Sequence, residues 1–235
     1  MSNKYHCIMG KIIENYNLQA EIGRGAYSTV FRALNMKTGE EVAIKMVHAA
    51  KFQECPKLKE GTFNEVNILS TLDPHPHIIR YVDMLKTTNN YYFVYEFCNG
   101  GSLEQFLRQH GALPTPTALS FFLQVTDAFR LLNRHSIMHR DLKPENLLLH
   151  NGNIKLADFG FCKPLESEDE ISRTMLGSPI YMAPELLKGE PYTIKADIWS
   201  LGVVLFRMLF GYCPFESSSI AKLILVVEQE KLAFP

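Results

Sequence analysis

Nothing in the sequence pairs its cysteines. Cys7, Cys55, Cys98, Cys162 and Cys213 are odd in number and widely separated, and no C-x-x-C occurs. That pattern argues against a disulfide framework, a structural zinc site and dithiol redox chemistry, and a reducing, cytoplasmic setting is expected. Long apolar runs are also absent. The longest, residues 198–206, already contains Ser200 and Gly202 and meets Arg207; it is too short to span a bilayer and reads as a buried helix. The N-terminal MSNKYHCIMGKIIENY has neither an apolar core nor a small-residue cleavage site, so no secretory signal is expected. Neither sign of charge prevails, with Lys+Arg 24 against Asp+Glu 25 and a net charge of −1. A general pull toward nucleic acid or an anionic membrane is therefore not expected. Partners have to be read from particular sites.

What is present is ample apolar material. At 46% hydrophobic and 21% charged over 235 residues, the chain can bury one large core or two modest ones. From Tyr16 to Val47, short β-prone runs (YNLQAEIG, STVFRALN, EVAIKMV) are broken by glycines and a KTGE turn, which predicts an antiparallel meander. Helical spacing follows over 56–72, with Leu58, Leu69 and Leu72 on one face, and YYFVYEF at 91–97 returns to strand. After Asn99-Gly100-Gly101 the texture turns helical. Thr115 is read as an N-cap before Pro116, and Ala118, Phe121, Phe122, Val125, Ala128, Phe129 and Leu132 recur at helical steps. The expected organisation is an N-terminal extension (1–15), a strand-rich lobe (16–98) and a helix-rich lobe (99–235), with a cleft between the lobes.

Three stretches carry chemistry. Gly23-Arg24-Gly25-Ala26-Tyr27-Ser28 lies between two predicted strands; glycines there let backbone N–H groups approach a polyphosphate, although Ser28 replaces the third glycine of a G-x-G-x-x-G loop. An ordinary β-turn accounts for the pair equally well. Lys45 is set inside VAIKMV, and an isolated lysine there can snorkel to solvent. Glu65, however, falls on the same helical face as Leu58, Leu69 and Leu72, where an unpaired carboxylate is costly, so Lys45 is its expected partner. The third stretch runs from His139 to Gly160, HRDLKPENLLLHNGNIKLADFG. Asn151-Gly152 signals a two-residue hairpin that sets His150 opposite Asn153 and Leu147 opposite Leu156. That register brings Asn146 and Asp158 to the open end, as two oxygen ligands suited to a magnesium ion carrying phosphates. Asp141 reaches the same place as a proton acceptor, and Lys143 as a neutralising cation. Hydrophilic loop residues around a hairpin are the plainer alternative.

HRDLKPEN, ADFG and APE, in this order behind VAIK and a glycine-rich loop, resemble a eukaryotic-type protein kinase over roughly residues 16–235. The resemblance implies an α+β, two-lobed fold. Its small lobe would hold a five-stranded antiparallel sheet and one main helix; its large lobe would be mostly helical and truncated at its C-terminus. It implies ATP and Mg2+ as cofactors. Ile22, Gly23, Gly25, Val30, Ala43, Lys45, Glu96, Cys98 and Leu148 would bind the nucleotide, with Tyr95 as a large gatekeeper behind the adenine. Asn146 and Asp158 would hold the metal, with Asp141, Lys143, Lys45 and Glu65 as the catalytic set. Lys143 after HRDL is similar to the serine/threonine members, so the acceptors would be Ser or Thr hydroxyls of protein substrates. VYEFCNGGSLEQFL and GSPIYMAPELL look most like the autophagy-initiating branch.

By the same resemblance, residues 158–185 form an activation segment. Thr174 would be its regulatory phosphosite, served by an upstream kinase or by trans-autophosphorylation, and Arg140 the cation that grips the phosphate. Ser178 would belong to the substrate platform, bonding toward Asp141 and Lys143; Ser172 has no assigned role. His139 would pack beneath Phe159, and Asp197 would anchor the catalytic loop. His75 and His77 lack a third ligand nearby and read as structural. Arg207 stands where kinases that read basic substrates carry an acid, which argues against a strong preference for arginine-rich sequences. The arginine that pairs with the glutamate of APE has no candidate after Phe215, so Glu185 is expected to be solvated. An inactive kinase-fold scaffold is the alternative function.

Overall fold

The computed structural model describes residues 10–164 and 178–229, together with Leu232 and Phe234. Two compact units emerge: one comprises the chain up to Pro74 and Ile79–Cys98, the other His75–Ile78 and Asn99 onward.

The first unit is built on one antiparallel sheet. Its strands are β1 (Ile12–Ile13), β2 (Tyr16–Arg24), β3 (Ser28–Asn35), β4 (Glu41–His48), β5 (Tyr81–Lys86) and β6 (Asn90–Glu96), in the order β1-β2-β3-β4-β6-β5. The five strands expected from the sequence are thus joined by a sixth. Its short run was hidden in the presumed extension, where a turn through Glu14, at φ 50°, folds Ile13 back onto Tyr16. The period of two sorts the faces. Leu18, Phe31, Ala33, Val42, Ile44, Met46, Tyr92 and Val94 share one apolar cluster, while Lys45 and its cross-strand neighbours Val30 and Phe93 project from the opposite face. Helices α1 (Ala49–Glu54) and α2 (Pro56–Thr71) follow β4, so a short second helix accompanies the main one that was expected. Cys55 and Pro56 separate them: proline supplies no N–H to continue α1 but suits the first position of α2.

The second unit contains α3 (Leu103–His110), α4 (Thr115–Arg134), β7 (Ile137–Met138), β8 (Leu147–His150), β9 (Asn153–Leu156), β10 (Lys163–Pro164), α5 (Pro184–Lys188), α6 (Lys195–Phe210) and α7 (Ile220–Gln229). A capping box starts α3, the Ser102 hydroxyl accepting from Gln105 N while the Gln105 side chain accepts from Ser102 N. Helix α4 buries the stripe expected of it, including Ala118, Phe121, Val125, Ala128, Phe129 and Leu132. Its N-cap is Pro114 rather than Thr115, because the Pro114 carbonyl accepts from Thr117 N and Ala118 N, at 2.9 and 3.0 Å. The strap His75–Ile78 belongs to this unit: Leu156 N donates to His77 O at 2.8 Å, and His77 Nδ1 donates to Ile154 O at 3.1 Å. No helix among the described residues is long and apolar enough to cross a membrane.

Candidate active site

Lys45 and Glu65 meet. Lys45 Nζ lies 2.9 Å from Glu65 Oε2, and Glu65 is only 4% exposed, so the carboxylate buried on the inner face of α2 is compensated by the cation from β4. The glycine-rich turn lies two strands away, where β2 changes register between Glu21 and Gly23. Gly23 pairs with Val30, and Gly25 N donates to Ser28 O at 2.8 Å. Neither glycine has a positive φ. An added Cβ would meet only ordinary contacts, 3.7 Å from the Val30 Cβ at position 23 and 3.5 Å from the Ser28 hydroxyl at position 25. The fold itself does not require glycine at either place.

Ile22 is 45% exposed, a large apolar side chain left open to solvent. Val30 and Ala43 are half-buried on neighbouring strands. Tyr95 is buried and packs edge-on against Tyr81, with centroids 6.0 Å apart. Glu96 accepts from Arg80 N through Oε1 at 2.8 Å and donates its own N–H to Arg80 O. Cys98, half-buried, is the last residue of this unit.

In the second unit the hairpin has the register anticipated from Asn151-Gly152: Leu147 faces Leu156 and His150 faces Asn153. Leu148, half-buried on β8, also bridges to Ser102. Ala157 N donates to Asn146 O at 2.9 Å, which fixes Asp158 one residue from the Asn146 backbone. Asp158 is held at φ 66°, an uncommon conformation for a non-glycine residue, and its carboxylate bonds to no other described residue.

Asp141 is 5% exposed and organised from one side. Lys143 Nζ donates to Oδ2 at 2.8 Å and Asn146 Nδ2 to the same oxygen at 3.0 Å, while Nδ2 also reaches the Asp141 carbonyl at 2.9 Å. Both donors converge on Oδ2, so Oδ1 remains as the open acceptor. Because the Asn146 amide nitrogen is committed to Asp141, its Oδ1 is turned away from that carboxylate.

Beneath this loop, the Asp197 carboxylate accepts from His139 N and Arg140 N, each at 2.8 Å. Burial pushes its carboxyl above the usual range, against the pull of these partners. Those two bonds steady Arg140, which sits at φ 65°. His139 is fully buried, donates from Nε2 to Ala157 O at 3.2 Å and packs edge-on against Phe159. The Arg140 side chain donates to Phe161 O and to the Tyr192 hydroxyl, both at 2.7 Å. Thr174 and Ser172 lie outside the described residues.

Ser178 departs from the expected bonding: it precedes the 3-10 turn Pro179–Tyr181, and its hydroxyl bonds to neither Asp141 nor Lys143. Ser178 and Asp141 instead line one small cavity with Leu142, Tyr181 and Met182. Behind it, the Arg207 guanidinium donates to the Tyr181 hydroxyl at 2.7 Å and pairs with Glu104 at 2.7 Å. The two partners stand far apart in sequence, and no local pattern announces them. Burial raises the pKa of Tyr181, so its hydroxyl stays protonated. Glu185 is half-buried and forms no ion pair with a described residue.

Comparison with known proteins agrees with this geometry. The protein kinase domain family matches residues 16–233. The chain is 37% identical over 231 residues to serine/threonine-protein kinase ATG1b of Arabidopsis thaliana, covering 96% of this chain and 32% of the relative. It is 37% identical to serine/threonine-protein kinase atg1 of Dictyostelium discoideum, over 96% of this chain and 35% of that protein. With serine/threonine-protein kinase ULK3 of Homo sapiens it shares 38% identity, over 90% of this chain and 45% of the relative. The chain thus spans about a third of the length of the plant relatives. With the family matched across nearly the whole sequence, the chain belongs to the protein kinase domain family.

Proposed function

We propose that this chain is a serine/threonine protein kinase that uses ATP and Mg2+ to phosphorylate Ser or Thr hydroxyls of protein substrates. The observation that carries the reading is the one-sided organisation of Asp141: Lys143 and Asn146 hold Oδ2, and Oδ1 is left to accept a proton from an incoming hydroxyl. Lys143, drawn to within 2.8 Å of that carboxylate, also stands where charge develops on the transferring group. Transfer between oxygens needs mainly positioning and charge neutralisation, which these side chains supply.

The residues present suit a magnesium ion. Asp158 has no competing partner among the described residues, and the committed amide of Asn146 leaves its oxygen as a second hard ligand. Two such ligands match a cation that keeps waters and substrate phosphates in its shell. When bound, Mg2+ neutralises charge on the phosphates. On the first unit, Gly23 and Gly25 lack side chains that the fold would tolerate, which leaves the close approach of a polyphosphate as the reason for glycine. Lys45, oriented by Glu65, contacts the phosphates. Ile22, Val30, Ala43 and the backbone of Glu96 and Cys98 receive the base.

Similarity to kinases named ATG1b and atg1 supports the autophagy-initiating branch as part of the same proposal. Regulation through phosphorylated Thr174 and Arg140, protein substrates presented on the segment that includes Ser178, and a cytoplasmic setting belong to the same proposal. The test is phosphotransfer from ATP to a Ser/Thr peptide by the wild-type chain and by Asp158→Ala. We expect transfer by the first, none by the second, and closely similar circular dichroism for both. Wild-type rates in Asp158→Ala remove the assignment.

A further inference from the structure

The first unit carries an aromatic cluster that the reading above leaves without a purpose. Phe52 is the single buried residue of α1, at 5% exposed, and that helix has six residues and no side-chain cap. So short a helix does not stand on its own propensity; the Phe52 ring is what fastens it. Its centroid lies 5.1 Å from Tyr91, 5.9 Å from Phe63 and 6.5 Å from Phe93. Phe63 meets Tyr91 and Phe93 edge-on, at 5.9 and 6.0 Å, and Tyr91 stacks on Phe93 at 6.4 Å. Such ring pairs add directional attraction to their burial.

Two placements connect this cage to Lys45 and Glu65. Phe93 is the cross-strand partner of Lys45 and Tyr91 that of Val47, so both rings stand on the sheet face from which Lys45 projects. Phe63 is on α2, two residues before Glu65. The buried residues of α2 are Thr62, Glu65, Ile68 and Leu69. Toward the C-terminal end the buried groups, Ile68 and Leu69, are apolar. Over residues 56–65 the buried groups, Thr62 and Glu65, are polar, and the ring contacts to the sheet come from Phe63 inside the cage that Phe52 completes.

We propose that Phe52 is a positioning residue for the Lys45–Glu65 pair, an internal wedge that holds residues 56–65 of α2 against the sheet. The inference rests on the kinase reading for its consequence in turnover, and it deepens that reading by making the pair dependent on α1. Removing the ring opens a cavity at the cage. Residues 56–65 of α2 then lose their anchor, and Glu65 exchanges Lys45 for water, because an unpaired buried carboxylate is unfavourable.

The test compares Phe52→Ala, Phe52→Leu and Leu85→Ala. Leu85 is equally buried, at 5% exposed, and lies in the cluster on the opposite sheet face. We expect Phe52→Ala to lower kcat about tenfold or more, as misplacement of a catalytic constellation does, with the peptide KM little changed. Phe52→Leu should restore most of the rate, and Leu85→Ala should lose thermal stability without a comparable loss of kcat. In a Glu65→Gln background Phe52→Ala should add less than about a threefold loss, because the two act through one interaction. Hydrogen exchange reads the same claim without turnover: Phe52→Ala should speed exchange over residues 56–66 and leave 67–71 near wild type. A wild-type kcat in Phe52→Ala, full additivity with Glu65→Gln, or unchanged exchange over 56–66 overturns the inference. Absence of phosphotransfer by the wild-type chain, with exchange behaving as expected, counts against the kinase reading alone.

Discussion

Glycines show how one residue type serves two ends in this chain. At Gly100 the backbone passes so close to β8 that an added Cβ would sit 2.7 Å from the Leu149 Cβ and 3.0 Å from its carbonyl oxygen, beside the Gly100 N to Leu149 O bond of 2.8 Å. At Gly23 the same atom meets nothing closer than 3.7 Å. We expect Gly100→Ala to destabilise the protein by about 1–3 kcal/mol through overpacking. Gly23→Ala should leave the melting temperature in place but raise the KM for ATP; denaturation midpoints and ATP titrations read the two effects, and a reversed pattern contradicts these assignments. The residues grouped around Asp141 were legible in sequence because they lie within a few positions of one another, and a hairpin signal set their register. The bonding of Ser178 was not legible for the converse reason: its neighbours depend on how a distant segment returns. Tyr192 beside Arg140 and Glu104 beside Arg207 were illegible for the same cause.

Among the elements, long periodic segments were readable and short ones were not. Helix α4 and strands β2, β3 and β4 follow apolar spacing over eight residues or more. In contrast, β1 has two residues and α1 six, and each is held by tertiary contacts rather than by its own pattern. The strap His75–Ile78 gives this level a pH dependence. His75 Nε2 lies 3.2 Å from Asp127 Oδ2 on α4, and His75 Nδ1 accepts from His77 N at 3.1 Å. Burial pulls the His75 pKa below its ordinary 6.5; Asp127 opposes the shift, and His77 and Lys155 add to it. The folded chain therefore binds this proton less readily than the unfolded chain. The stability contributed is complete above about pH 6.5 and drains as pH falls through the lowered folded value. We expect the melting temperature of the wild type to fall more steeply below about pH 6.5 than that of His75→Asn; parallel curves contradict this role for His75.

For the chain taken together, family membership rests on a match over residues 16–233, whereas the relatives are two to three times longer. Similarity to those relatives is therefore a statement about the matched region alone. The chemistry claimed here is narrower. It needs Lys45 held by Glu65, Asp141 held by Lys143 and Asn146, and Asp158 beside Asn146, and the described residues contain each of these arrangements. The most direct measurement incubates the purified chain with γ-labelled ATP, Mg2+ and a generic protein substrate, followed by phosphoamino-acid analysis. The account predicts label on serine and threonine that disappears when Mg2+ is chelated. Label confined to tyrosine, or none from folded protein that binds ATP, would contradict it.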